Sequence, residues 1–119
     1  MKELQPNENS SSKERLARMV TKLFELWNLS FEDQMALLGL SEEGEHLIDH
    51  RDFIERVKNI LTIHASLKIL FPQNRKLVYA WPGAPNLQFD GKTPVSFMIE
   101  KGAIGIAEVR RYLDFERGR

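Results

Sequence analysis

The sequence predicts an all-α fold: a small helical domain with a reduced helix-turn-helix-like N-terminal part and a helical C-terminal part. Three observations carry this. Between Lys13 and Trp27 the apolar residues Leu16, Met19, Val20, Leu23, Phe24 and Trp27 recur at steps of three and four, the period of one helix face. A longer apolar stripe runs from about Asp52 to Phe71 and meets Pro72, which cannot continue a helix. No stretch of useful length alternates apolar and polar residues, so no strand is expected.

The elements follow in order. Residues 1–12, with Pro6 and the run Ser10-Ser11-Ser12, read as a disordered leader, with Ser12 placed to cap the helix that begins at Lys13. Asn28 marks that helix's end. Ser30-Phe31-Glu32-Asp33 resembles a capping box and opens a short helix that Gly39 closes. Residues 41–49 carry Glu42, Glu43, Glu45 and Asp49 around Gly44 and suggest only a short, weak helix. The long stripe, with Ile54, Val57, Ile60, Leu61, Ile63, His64, Leu67 and Leu70, is the central core element. Asn74 to Trp81 makes two turns before Pro82-Gly83. A packed loop follows, anchored by Leu87 and Phe89 and turned by Asp90-Gly91. Thr93-Pro94 reads as an N-cap followed by proline at the first helical position. The helix it starts stops at Gly102, and a last one covers Ile104 to about Phe115 before a charged tail, Glu116 to Arg119.

Composition narrows the function classes. The chain has 119 residues, 17 basic and 17 acidic, with 42% apolar residues. One compact unit is expected, and zero net charge argues against a nucleic-acid binder that relies on bulk positive charge. There is no cysteine, hence no disulfide framework, thiolate metal site or cysteine nucleophile. No apolar run reaches the length of a membrane span, and the expected location is the cytoplasm, with no membrane partner. His46, His50 and His64 are too few and too dispersed for a zinc site. No serine stands in a Gly-x-Ser-x-Gly setting and no glycine-rich phosphate loop occurs. Gly102-Ala103-Ile104-Gly105 reads as a helix break and restart. No catalytic residue, metal or cofactor is expected, and the chain does not read as an enzyme.

Nucleic acid remains open as a partner. Helix, tight turn and helix ending at Leu40-Ser41 is the way many helix-turn-helix units begin, with Gln34 in the first helix of the pair. Arg15, Arg18 and Lys22 share one side of the preceding helix and are candidates for phosphate contact. Against this, the segment that would enter the major groove carries four carboxylates and no lysine or arginine, which a phosphate-lined groove disfavours. Residues 41–56 have six acidic and two basic groups, whereas 57–101 have two acidic and six basic. Any backbone contact is therefore expected from the second half or from a dimer partner.

The order Ile63-His64-Ala65-Ser66-Leu67, Leu70-Phe71-Pro72, Trp81, Pro85-Asn86, Phe89, Gly91, Pro94, Gly102 and Val109-Arg110-Arg111-Tyr112-Leu113 resembles the Xre/MbcA/ParS-like toxin-binding domain of bacterial antitoxins. The resemblance covers about residues 52–114, and Leu16 to Ser41 looks like the reduced Xre-type region that precedes it. It implies residues 13–50 as an Xre-like region and 51–119 as the toxin-binding domain. It also implies a cognate toxin, typically of the NAD-consuming RES type or a related ADP-ribosyltransferase, neutralised by covering its active site. Dimerisation and repression of the antitoxin's own operon are further implications. The rival class is a stand-alone DNA-binding regulator of Xre type.

By position, Trp81, Asn86, Phe89, Gly91 and Pro94 form the family's motif loop, which either fixes the fold or touches the toxin. Arg110, Arg111, Asp114 and Glu116 of the last helix and tail are candidates for the inhibitory surface. A cleft that accepts dinucleotide phosphates is electropositive, which favours Asp114, Glu116 or the terminal carboxylate over the arginines as the groups that enter it. The departure from the family lies at Glu42, Glu43 and Glu45, where operator-binding members place basic and polar groups. DNA contact by Arg15, Arg18, Lys22, Gln34 and Ser41 is the weaker part of the carry-over.

Overall fold

The computed structural model describes residues 4–40 and 50–119, with side chains from Ser12 to Leu40 and from Arg51 onward. The acidic segment 41–49, Ser41 and His46 included, lies outside the described residues. Every regular element among the described residues is helical: α1 (Leu4–Leu26), α2 (Phe31–Leu38), α3 (His50–Leu70), α4 (Arg75–Ala80) and α5 (Pro94–Arg117), with single 3₁₀ turns at Trp81–Gly83 and Leu87–Phe89.

The first helix corrects one expectation. It begins at Leu4 rather than Lys13, so residues 4–12 are helical rather than a disordered leader, and Ser12 is not a cap. Pro6 permits this because it falls in the first turn, where a missing N–H has no intrahelical acceptor to lose. The end falls where expected: Asn28 adopts a left-handed φ of 62°. Ser30 then caps α2 by accepting a hydrogen bond from the Asp33 N–H at 3.1 Å. Gly39 closes α2 at φ 76°; its N–H reaches the Ala36 carbonyl, and the Leu40 N–H reaches that of Met35.

The core is one cluster. Val57, Ile60, Ile63 and Leu67 make a fully buried seam along α3. Against it pack Val20, Leu23, Phe24 and Trp27 of α1, Leu37 of α2, Val78 of α4 and Met98, Ile106, Val109 and Leu113 of α5. Each buried aliphatic or aromatic side chain contributes about 1.5–3 kcal/mol, and the cluster runs without a gap from the N-terminal helices into the C-terminal ones.

Thr93 caps α5, accepting from the Ser96 N–H at 3.0 Å, and Pro94 occupies the first turn. The chain breaks at Gly102, with φ 68° and ψ −146°, a backbone shape essentially reserved for glycine. Helical hydrogen bonding resumes at once and extends through Arg117. The expected charged tail is thus mostly the last turn of a helix.

A buried arginine joins the two halves. The Arg56 side chain is 15% exposed and its Nε lies 2.9 Å from Asp52 Oδ2. Its Nη1 donates to the Leu37 carbonyl at 3.2 Å, with Ala36 O at 3.5 Å. The guanidinium therefore stands at the negative end of α2 and satisfies the Leu37 carbonyl, which has no other donor among the described residues. It fills the space beside Gly39, where an added Cβ would stand 2.9 Å from Cζ. Arg56→Met keeps the bulk and leaves the Leu37 carbonyl without this donor, and is expected to destabilise the fold by about 2 kcal/mol. Urea unfolding followed by circular dichroism measures it; a change within error would remove Arg56 from this role.

Candidate functional site

Four aromatic rings organise the C-terminal half. Phe89, 5% exposed, lies 4.8 Å from the Phe97 ring, and meets Tyr112 edge-on at 5.6 Å and Trp81 edge-on at 6.4 Å. Such pairs add about 0.5–1.5 kcal/mol beyond burial. The loop that delivers Phe89 is held by Asn86. Its side chain accepts from the Gln88 N–H at 2.9 Å, and its carbonyl accepts from the Phe89 and Gly91 N–H groups. Asp90 and Gly91 turn the chain at φ 59° and 83°. Lys92 pairs with Glu100 across the start of α5.

In front of the rings lies an open groove of about 570 Å³, lined by Gln88, Phe89, Asp90, Phe97, Lys101, Glu108, Arg111, Tyr112 and Phe115. Its walls are the two segments of α5 on either side of Gly102, and its floor is the 3₁₀ turn Leu87–Phe89. Lys101 Nζ lies 5.5 Å from the Phe97 ring centre. Phe115, on the rim, is 65% exposed. Arg111 makes no ion pair or hydrogen bond among the described residues, so it stands at the groove without an internal partner. An aromatic floor rimmed by Lys101, Arg111, Glu108 and Asp90 suits a protruding segment with an apolar side chain and polar flanks.

Of the predicted site residues, the structure brings Phe89 and Arg111 to this groove. Trp81, Asn86, Gly91 and Pro94 shape the wall behind it, with Pro94 buried. Arg110 is directed to α3, where it donates to Asn59 Oδ1 at 2.9 Å and lies 3.5 Å from Asp114. Arg117 donates to the buried Ser66 Oγ at 3.2 Å. Asp114 lies between Arg110 and Arg117, and Glu116 pairs with Arg119 at 3.3 Å. Arg110 and Arg117 thus fasten the end of α5 onto α3, while Asp114 pairs within α5 and Glu116 with Arg119. Sequence reasoning missed Lys101, Glu108 and Phe115 as groove residues. Helical spacing offered the signal, since residues 101, 108, 111, 112 and 115 share a side once Gly102 is allowed to redirect the helix.

The proposed DNA face divides. Arg15, Arg18 and Lys22 are exposed on α1, whereas Gln34 donates its amide to the Leu29 carbonyl at 3.1 Å and secures the turn. Among the described residues no acidic, histidine or cysteine group of three could hold a metal, and no helix is long and apolar enough to cross a membrane.

A second, smaller cleft of about 280 Å³ lies between α3 and α4, lined by Lys68, Phe71, Pro72, Arg75, Val78 and Tyr79. His64 stacks beside it on Tyr79 at 5.2 Å. Its Nδ1 is buried without a hydrogen-bond partner among the described residues. Burial first, then Lys68 and Arg75, lower its pKa.

The family model described as the antitoxin Xre/MbcA/ParS C-terminal toxin-binding domain matches residues 66–119, a span that includes the whole groove. A curated relative, the uncharacterized protein y4oB of Sinorhizobium fredii (strain NBRC 101917 / NGR234), is 32% identical over 104 residues, which cover 82% of this chain and 80% of that protein. No solved structure gives a significant match.

Two outcomes follow from this geometry. Phe89→Ala empties the centre of the ring cluster and is expected to destabilise the fold by about 3–5 kcal/mol; a thermal melt unchanged from the parent would make Phe89 a surface contact instead. For His64 the folded pKa lies below the ordinary 6.5, so the unfolded chain binds the proton first. Its contribution to stability is complete above that value and declines as pH falls through the folded pKa. The melting temperature is expected to drop between pH 7 and 5 less steeply in His64→Gln than in the parent, and parallel slopes would refute it.

Proposed function

Since the chain belongs to the antitoxin Xre/MbcA/ParS family through its C-terminal toxin-binding domain, we propose that its aromatic groove docks the cognate toxin. An antitoxin role with a toxin as partner follows from that membership. The reading of the groove rests on one observation: the large open cleft within residues 66–119 is ring-floored, with an exposed Phe115 on its rim and an Arg111 that pairs with no described residue. Exposed aromatic and arginine side chains around a concave centre are the residue types that dominate protein–protein binding energy. Residues 51–119 then form the toxin-binding unit, and residues 13–50 the Xre-like region that packs into the same core.

The inhibition needs no chemistry from this chain. A toxin segment seated on the Phe89, Phe97 and Tyr112 floor is held beside its own active site, and the antitoxin's bulk closes the approach of substrate. The toxin we infer is of the NAD-consuming RES type or a related ADP-ribosyltransferase, and the complex also represses its operon. Trp81, Asn86, Gly91 and Pro94 act as positioning residues that set the height of the Phe89 turn. Arg110, Asp114 and Glu116 act by keeping the last turns of α5 in place so that Arg111 and Phe115 face the partner.

Phe115→Ala and Arg111→Ala are each expected to weaken toxin binding about tenfold or more, with melting temperatures at the parent level. The partner is first isolated by tagged pull-down from the native host, and affinity is then read by calorimetry and by rescue of growth in toxin-expressing cells. A double variant that binds and rescues like the parent would remove the groove from the interface.

A further inference from the structure

The docking groove exists because α5 bends at Gly102. A glycine tolerates a wide range of φ and ψ, so it permits a bend without setting its angle. Two neighbours constrain it. Within the helix, Gly105 lets the second arm close on the first: an added Cβ there would stand 2.7 Å from Lys101 Cβ and 3.1 Å from the Phe97 carbonyl oxygen. Outside the helix stands Arg56. Its Nε is tied to Asp52 at 2.9 Å and its Nη1 to the Leu37 carbonyl at 3.2 Å. A guanidinium is planar, so two tied corners place the third. That third corner, Nη2, lies 3.6 Å from where a Cβ added at Gly102 would stand. Arg56 is largely buried and takes no part in lining the groove. Its influence on a bound partner therefore passes through α5.

We infer that Arg56 is a positioning residue for toxin docking: its guanidinium buttresses the bend at Gly102 and sets the angle between residues 94–101 and 103–117. Phe97 and Lys101 stand on the first of these arms, and Glu108, Arg111, Tyr112 and Phe115 on the second. The angle between the arms is therefore the width of the groove. The end of α2 enters the binding geometry in this way without touching the partner. The inference rests on the groove being the docking surface and adds the group that holds it at its width. Gly39 belongs to the same arrangement, since its added Cβ would stand 2.9 Å from both Cζ and Nε of Arg56. Lysine is no substitute, because a single ammonium cannot hold Asp52, the Leu37 carbonyl and the bend at once. Direct packing of α2 on α5 survives Arg56→Met, so that variant isolates the part played by the guanidinium.

The test reads the bend and the binding separately. Residual dipolar couplings of the backbone amides of 94–101 and 103–117, measured on the full chain free in solution, report the angle between the arms. Affinity is measured by calorimetry with the toxin isolated by pull-down from the native host. Arg56→Met is expected to change the angle beyond the fit error and to weaken toxin binding about five- to tenfold, at a temperature where circular dichroism shows it fully folded. Val20→Ala, a core truncation on α1, is expected to lower the melting temperature comparably while angle and affinity stay at the parent's values. Should Arg56→Met fail to fold, Asp52→Ala is read in its place. It frees Nε but keeps the guanidinium, and a changed angle with an about two- to fivefold loss of affinity is expected. An unchanged angle, or a changed angle with the parent's affinity, overturns the inference; the groove reading stands if Phe115→Ala and Arg111→Ala still weaken binding. An equal loss of affinity in Val20→Ala assigns the effect to lost stability and overturns the inference as well. If the Phe115 and Arg111 double variant binds like the parent, the groove reading falls and the inference falls with it.

Discussion

The fold depends on how one charged side chain is accommodated inside it. Arg56 projects from the central helix into the space where α2 ends and α5 breaks. It supplies donors to the Leu37 and Ala36 carbonyls, shares its charge with Asp52, and is 15% exposed. Gly39 and Gly102 are the backbone's accommodation to it. One gives up its side chain so that the guanidinium fits; the other, where an added Cβ would stand 3.6 Å from Nη2, turns the chain next to it. A largely buried ion is poor evidence of net stability, but an alternative packing would have to supply acceptors to Nε and Nη1 in the same fixed geometry. Here the ion specifies how the N-terminal helices register on the C-terminal ones.

Much of this architecture was legible. The helices α2, α4 and α5 begin where Ser30, Asn74 and Thr93 announce them, because a short polar side chain in front of an apolar period has a local use that needs no tertiary context. Proline at 72 and glycines at 39 and 102 were legible for the same reason. Arg56 was not. Arginine within a long helix usually faces water, and nothing in its neighbourhood distinguishes it from Arg51. Its burial depends on where α2 ends in space, which is a tertiary fact. The start of α1 was misread because polar residues depress the apolar period without forbidding the helix.

The candidate site was legible in part. The motif loop stood out by its prolines, glycines and aromatic residues, but its Phe89 turned inward to make the floor while residues from the next helix made the opening. Loop residues can be recognised by their unusual chemistry. Groove residues such as Lys101, Glu108 and Phe115 are ordinary helix-surface types, and only the bend at Gly102 converts two convex helix faces into a concave one. Arg110 and Arg117 of the last helix show the reverse case: conspicuous in the sequence, their guanidinium groups are engaged with Asn59 and Ser66 of α3.

The bend itself has a mechanical consequence. Phe97 and Lys101 ride on one arm of α5, Arg111, Tyr112 and Phe115 on the other, and a single pair of dihedral angles at Gly102 sets the angle between the arms. Over the length of the second arm, a small rotation at that joint is magnified at the rim, as at the tip of a lever. The joint abuts the guanidinium of Arg56, whose position follows the end of α2. The opening of the groove is therefore geared to the N-terminal helices, because the joint that sets it leans on a side chain placed by the end of α2.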